Sequence, residues 1–191
     1  MTLKDQNTKE RIMEIAEHLI MSRGYNGFSY KDISSELKVK NAAIHYHYPS
    51  KMDLGIAVIR GARSRFRQWR MMITNQEVSP LDMLNQYFET YINYLKSEEY
   101  VCLGGSLEID FHTFPGEMQN EIKEYASELI QWMGTLLASG REKELFSFSG
   151  SPEDKAVFIL SSVKGALQTA RVSNRESFFR VLNAIKNDLG L

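Results

Sequence analysis

From Thr8 to Arg23 the apolar residues Ile12, Ile15, Ala16, Leu19 and Ile20 recur at i, i+3, i+4, i+7 and i+8, the stripe of an amphipathic helix. Gly24 predicts its end. The pattern restarts at Ser29, whose hydroxyl can cap a short helix from Tyr30, with Asp32 at the positive end of the dipole and Ile33 and Leu37 as the buried face. After a tight Lys38-Val39 connection, a second short helix is predicted over Lys40 to His47, with Val39 and Ile44 inward. Proline disfavours helical geometry in the residue before it, so Tyr48-Pro49 closes this helix. Ser50 then caps a long helix from Lys51 to about Met72, facing inward with Leu54, Ala57, Val58 and Gly61 and basic in its later half at Arg60, Arg63, Arg65, Arg67 and Arg70.

Beyond Val78-Ser79-Pro80 the residues Leu84, Tyr87, Phe88, Tyr91, Ile92 and Leu95 form a wide aromatic and aliphatic face. A short helix is expected from about Leu103 to His112. Pro115 then opens a longer one to about Arg141, carrying Met118, Ile122, Tyr125, Leu129, Met133 and Leu136 at helical spacing. Ser151-Pro152-Glu153-Asp154 is a strong helix start, and the helix it begins is apolar on more than one face, which predicts cover on two sides. A last helix from Glu176 to about Asp188 presents Phe178, Phe179, Leu182 and Ile185. No alternating strand pattern competes, so the chain reads as all-α with about nine helices.

Composition narrows the class. With 43% hydrophobic and 25% charged residues, 4 prolines and 12 glycines in 191 positions, the chain is neither low-complexity nor collagenous. Its single cysteine, Cys102, excludes an internal disulfide framework and a cysteine-rich zinc site. No run of about 18 apolar residues exists, and the charged N-terminus lacks the apolar core of a signal peptide, so a cytoplasmic protein without a membrane partner is expected. Residues 1–70 hold 13 Lys and Arg against 7 Asp and Glu, while residues 71–191 hold 10 against 17. A basic first part suggests a polyanion such as DNA, and the acidic remainder another task.

Two short helices joined by a tight turn and packed on a preceding helix make a helix-turn-helix candidate. The run IMEIAEHLIMSRGYNGFSYKDISSELKVKNAAIHYHYPSKMDLGIAVI resembles the DNA-binding domain of the TetR/AcrR regulators in its Arg-Gly-Tyr after the first helix, its Asp-Ile in the second, and its aromatic-Pro-Ser-Lys opening the fourth. The resemblance implies a DNA-binding domain over residues 8–68, its helix-turn-helix at about 29–48, and a ligand-binding and dimerisation domain over 75–191. Lys40 to His47 would be the recognition helix. Lys40 and Asn41 have donors for base edges or phosphate, Ala42 and Ala43 permit close approach, and Tyr46, His47, Lys51 and the Ser29-Tyr30 helix start suit phosphates. His45 stands where the family usually has tyrosine, and Lys40-Asn41-Ala42 replaces its common Ser-Lys-Gly or Pro-Lys-Gly, so operator sequence does not carry over. His45 and His47 at i, i+2 do not share a helix face, which argues against a metal pair.

The resemblance further implies double-stranded operator DNA as partner, a homodimer through the last two helices (about 152–170 and 176–188), a small-molecule inducer, and no cofactor. Phe88, Tyr91, Phe111, Phe114, Trp132 and Phe158 could line an apolar cavity with Glu108 or Asp110 as polar anchor, or be plain core. The tract CLGGSLEIDF resembles an electrophile-sensing member of the family, which makes Cys102 a sensor candidate. Arg171 falls near the place where that member has a lysine by its thiol, and a cation there favours thiolate. A buried inert thiol is the alternative. An enzyme built on Cys102 and His112 would need a third orienting group that the sequence does not supply, and a helical binding module without DNA binding would not need the basic first part.

Overall fold

The computed structural model describes residues 3–96 and 101–191. Nine α-helices and no strand occur among them: α1 (Leu3–Arg23), α2 (Tyr30–Leu37), α3 (Asn41–His47), α4 (Lys51–Asn75), α5 (Pro80–Lys96), α6 (Leu103–Ile109), α7 (Gly116–Glu142), α8 (Pro152–Val172) and α9 (Arg175–Asp188). Single 3-10 turns lie at Tyr25–Gly27 and Phe111–Thr113. The all-α architecture with an N-terminal helix-turn-helix is as expected. Several boundaries differ by a few residues: α3 starts one residue later, with Lys40 as its extended N-cap, and α6 stops at Ile109 instead of reaching His112.

One local device opens four of these helices. In Ser29/Asp32, Ser50/Asp53, Ser79/Asp82 and Ser151/Asp154 the serine hydroxyl donates to the aspartate three residues on at 2.7 Å. Each pair satisfies polar groups at the helix start and puts a carboxylate at the positive end of the dipole.

The chain forms two compact units. The first comprises α1 to Phe66 together with Leu103–Tyr125, and the second the described part of Arg67–Cys102 with Ala126–Leu191. The contiguous division expected from the sequence therefore moves residues 103–125 to the first unit. The reason is burial: Leu103, Leu107, Phe114, Met118 and Ile122 share one apolar cluster with Ile12, Ala16, Ile20, Ile33, Ile44, Leu54 and Val58. α1 to α3 are too small to enclose that cluster alone.

Charge pairs reinforce both units. Arg63 bonds Glu121 at 2.5 Å and Glu124 at 2.7 Å, Arg60 reaches Glu121 at 2.6 Å, and Arg65 pairs with Glu17, all within the first unit. Arg67 pairs with Glu128 in the second.

In the second unit, α8 and α9 pack through Ile159, Leu160, Val163, Leu167, Phe178, Leu182 and Ile185. Lys155 and Asp188 join the two helices at 2.6 Å. At Gly140 a side chain would force Phe146 to move, since a Cβ there would lie 2.1 Å from its ring. α8 buries one side against its own chain, and Val157, Phe158 and Val172 on it are exposed.

Candidate nucleic-acid interface

The turn between α2 and α3 depends on Lys38, which adopts the left-handed conformation (φ 56°, ψ 43°) while the Val39 N–H donates to the Ser34 carbonyl at 3.0 Å. Ser34 also donates through its hydroxyl to Asn41 Oδ1 at 2.5 Å, tying the two helices together. The oxygen of Asn41 is thus engaged inside the motif, which leaves its amide N–H groups as donors for a ligand. Ile44 is fully buried and fixes the rotation of α3. On the other face Lys40, Asn41, Ala42, His45 and Tyr46 are exposed, Tyr46 to 75%. His47 is half-buried with its ring 5.0 Å from that of Tyr46. Val39, expected inward, is 37% exposed.

Other expected DNA contacts have internal partners. Tyr30 is buried and its hydroxyl donates to the Tyr48 carbonyl at 2.8 Å, so its phenol braces the core and only its backbone lies at the helix start. Burial pushes that phenol's pKa upward. The exposed His45 stacks edge-on to Tyr30 at 4.7 Å, with Nδ1 3.2 Å from the Pro49 carbonyl.

Lys51, expected at a phosphate, donates to the Phe28 carbonyl and stands over the rings of Phe28 at 4.1 Å and Tyr25 at 4.7 Å. Burial lowers its pKa, and nearby Asp32 opposes the shift. Its ammonium therefore stabilises the junction into α2 in the free protein.

Ser29 donates to Asp32 from both its N–H (2.8 Å) and its hydroxyl. The hydroxyl first and the N–H second hold the Asp32 carboxyl below its ordinary pKa. That carboxylate stands at the helix start, while Lys31 in the first turn of α2 and Lys38 at its far end are exposed cations.

Three arginines of α4 have counter-charges elsewhere in the chain. Arg60, Arg63 and Arg67 pair with glutamates of α7, so much of the basic excess of residues 1–70 is balanced by acidic residues far along the same chain. Among the described residues, no group of three or more His, Cys, Asp and Glu could hold a metal, and no helix is long and apolar enough to cross a membrane.

Of the aromatic candidates, Phe88 and Tyr91 are buried on α5 and Trp132 is half-buried on α7. Tyr87, on the same apolar face of α5 but outside the expected cavity set, links them: its hydroxyl donates to that of Tyr91 at 3.0 Å and its ring lies 5.6 Å from Trp132, which also meets Trp69 at 5.1 Å. Phe158 differs from expectation, being 49% exposed with Lys155 Nζ 5.4 Å from its ring. Asp110, Phe111 and Phe114 belong to the first unit, where Phe114 packs edge-on to Tyr25 at 5.1 Å. Glu108 is exposed, Cys102 is buried just ahead of α6, and Arg171 is exposed in the last turn of α8.

The family model of bacterial regulatory proteins of the tetR family matches residues 12–58, which span α1 to the first third of α4. The chain is similar to the HTH-type transcriptional repressor NemR of Escherichia coli, at 21% identity over 184 residues covering 95% of this chain and 92% of NemR. The crystal structure of the reduced form of NemR superposes with a TM-score of 0.79, covering 95% of this chain and 96% of that one. A transcriptional regulator from Agrobacterium tumefaciens shares the fold with a TM-score of 0.90 at 24% identity, over 97% of this chain and 98% of that one. The TetR transcriptional regulator of Legionella pneumophila is 35% identical with a TM-score of 0.85, over 96% of this chain and 97% of that one. A helix-turn-helix that exposes cationic and amide donors, on a chain similar to these regulators over nearly its whole length, makes the protein a DNA-binding transcriptional regulator that belongs to the TetR family.

Proposed function

We propose that the protein is a homodimeric repressor of a palindromic operator, released by a small molecule taken up in the second unit. The observation that carries the DNA part is the outer face of α3, where Lys40, Asn41, Ala42 and Tyr46 stand exposed on a helix without a carboxylate. Lys40 and Asn41 supply donors for the major groove, Ala42 lets the helix approach, and Tyr46, His47, Lys31 and Lys38 take phosphates. A dimer is supported by exposed Val157, Phe158, Val172 and Phe179 on α8 and α9, and by Gly165, whose Cβ would meet nothing within 4 Å. An open glycine on an apolar face suits a second helix laid closely across it. Two such chains would place two recognition helices about one DNA turn, roughly 34 Å, apart.

The aromatic group of Tyr87, Phe88, Tyr91 and Trp132 is where we place the inducer, and the cytoplasm is where such a regulator meets DNA. A footprint and gel shift on DNA flanking the protein's own gene, with nonspecific competitor and a salt series, test the reading. A protected palindrome whose affinity falls steeply with salt is expected, and loss of every shift under competitor at low salt overturns it.

A second reading concerns Cys102. The similar NemR structure is described as a reduced form, and this chain has a single cysteine directly before α6. On this reading a Cys102→Ser variant retains operator binding but no longer releases DNA with hypochlorite. Unchanged release by the variant removes Cys102 from the mechanism.

A further inference from the structure

The Ile20 carbonyl, in the last turn of α1, accepts the Gly24 N–H at 3.0 Å and also the Ser106 hydroxyl of α6 at 2.6 Å. Ser106 is 6% exposed. A helical serine ordinarily returns its hydroxyl to a carbonyl of its own preceding turn, whereas this one reaches another helix. Because Gly24 already satisfies Ile20, the second bond is not needed to avoid an orphaned carbonyl; it fixes where α6 sits on α1.

The chain then turns at Gly24 (φ 77°) into Tyr25–Gly27. This turn is held on two sides. Asn26 Nδ2 lies 3.4 Å from both Asp110 Oδ2 and Thr113 Oγ1, and Phe114 packs on Tyr25. From α4, the Lys51 ammonium bonds the Phe28 carbonyl and covers the rings of Tyr25 and Phe28. Phe28 directly precedes Ser29, the N-cap of α2.

We propose that Ser106 and Asn26 are positioning residues for DNA binding, which set the turn at residues 24–28 and through it the entry of α2. The segment from α6 to the Phe111–Thr113 turn acts on the helix-turn-helix through this joint. The inference rests on the reading of α2 and α3 as the DNA-contacting element.

The test uses full-length Ser106→Ala, Asn26→Ala and the double variant, with amide hydrogen exchange on the free protein and gel shifts on DNA flanking its own gene. Each single variant should speed exchange at residues 24–32 by roughly three- to tenfold while α8 and α9 keep wild-type protection, and should weaken the shift by a similar factor. The double variant should fall short of the product of the two, since both act on one joint. Wild-type exchange at 24–32 in both single variants overturns the proposal, as does uniform acceleration along the whole chain. Should Ser106→Ala fail to fold, exposed Asn26 still decides it. If wild-type protein gives no shift, the DNA-contact reading fails, and the exchange pattern alone judges the joint.

Discussion

Arg63 on α4 and Glu121 on α7 meet at 2.5 Å, with side chains only 10% and 12% exposed, and Arg60 closes on the same carboxylate from the solvent side. One glutamate therefore balances two guanidinium groups in a place where water screens them poorly. Glu121→Gln removes the buried partner of the inner arginine, leaves it only the more exposed Glu124 and should lower unfolding free energy by about 2–4 kcal/mol. The more exposed Arg67–Glu128 pair should contribute under about 1 kcal/mol by the same measure. Urea denaturation of Glu121→Gln and Glu128→Gln compares them, and equal effects would contradict the ordering.

Lys38 occupies a left-handed backbone conformation that glycine adopts without strain. Lys38→Gly should raise stability by about 1 kcal/mol, seen as a higher denaturation midpoint with unchanged slope. A loss of stability would mean that the lysine side chain supports the turn.

Lys40 and Lys51 should separate cleanly. Lys40→Ala is expected to weaken operator binding and reduce the salt-dependence slope by about 1, with little change in stability. Lys51→Met should instead cost about 1–2 kcal/mol of stability, through loss of the Phe28 bond and the two ring contacts, and leave the slope alone. A reduced slope for Lys51→Met would return it to the DNA surface.

If α8 and α9 form the dimer seam, Gly165→Trp and Phe158→Glu should both yield folded monomers in sedimentation, since neither position is filled from within the chain. Dimers persisting in both variants would place the seam elsewhere.

Asp32 provides a pH signature. Its carboxyl is held below the ordinary value by Ser29, so between the folded and unfolded pKa the unfolded chain binds more protons and stability rises with pH. Its contribution is complete above the unfolded value and is lost as pH falls through the folded one. An NMR titration should find the Asp32 midpoint below 3.8, and Asp32→Asn should remove this part of the acid dependence.

The sequence announced what is local. Each serine cap lies three residues from its aspartate, and the burial of Ile33 and Ile44 follows from helical spacing, so the helix-turn-helix was legible almost to the residue. Distant partners were not. Arg60 and Glu121 lie 61 positions apart, and the later half of α4 shows in the sequence only as strongly basic because nothing local reveals that α7 carries its counter-charges. Lys51 is a related case: its position matches a family motif, and nothing local reveals that the carbonyl receiving its ammonium belongs to Phe28, 23 residues earlier. Phe158 fits a cavity wall or the core by its spacing, because apolarity alone does not say whether a helix is covered by its own chain.

The apolar cluster that joins Leu107, Phe114 and Met118 to Ile20, Ile33 and Leu54 restricts how this molecule can be recombined. A graft ending after α4 would carry the recognition helix yet bare the underside of its own platform, and would be prone to clump or be degraded. A viable hybrid has to bring residues 103–125 from the same parent, so crossovers that keep this interleaved pair together should outperform a single cut after the helix-turn-helix.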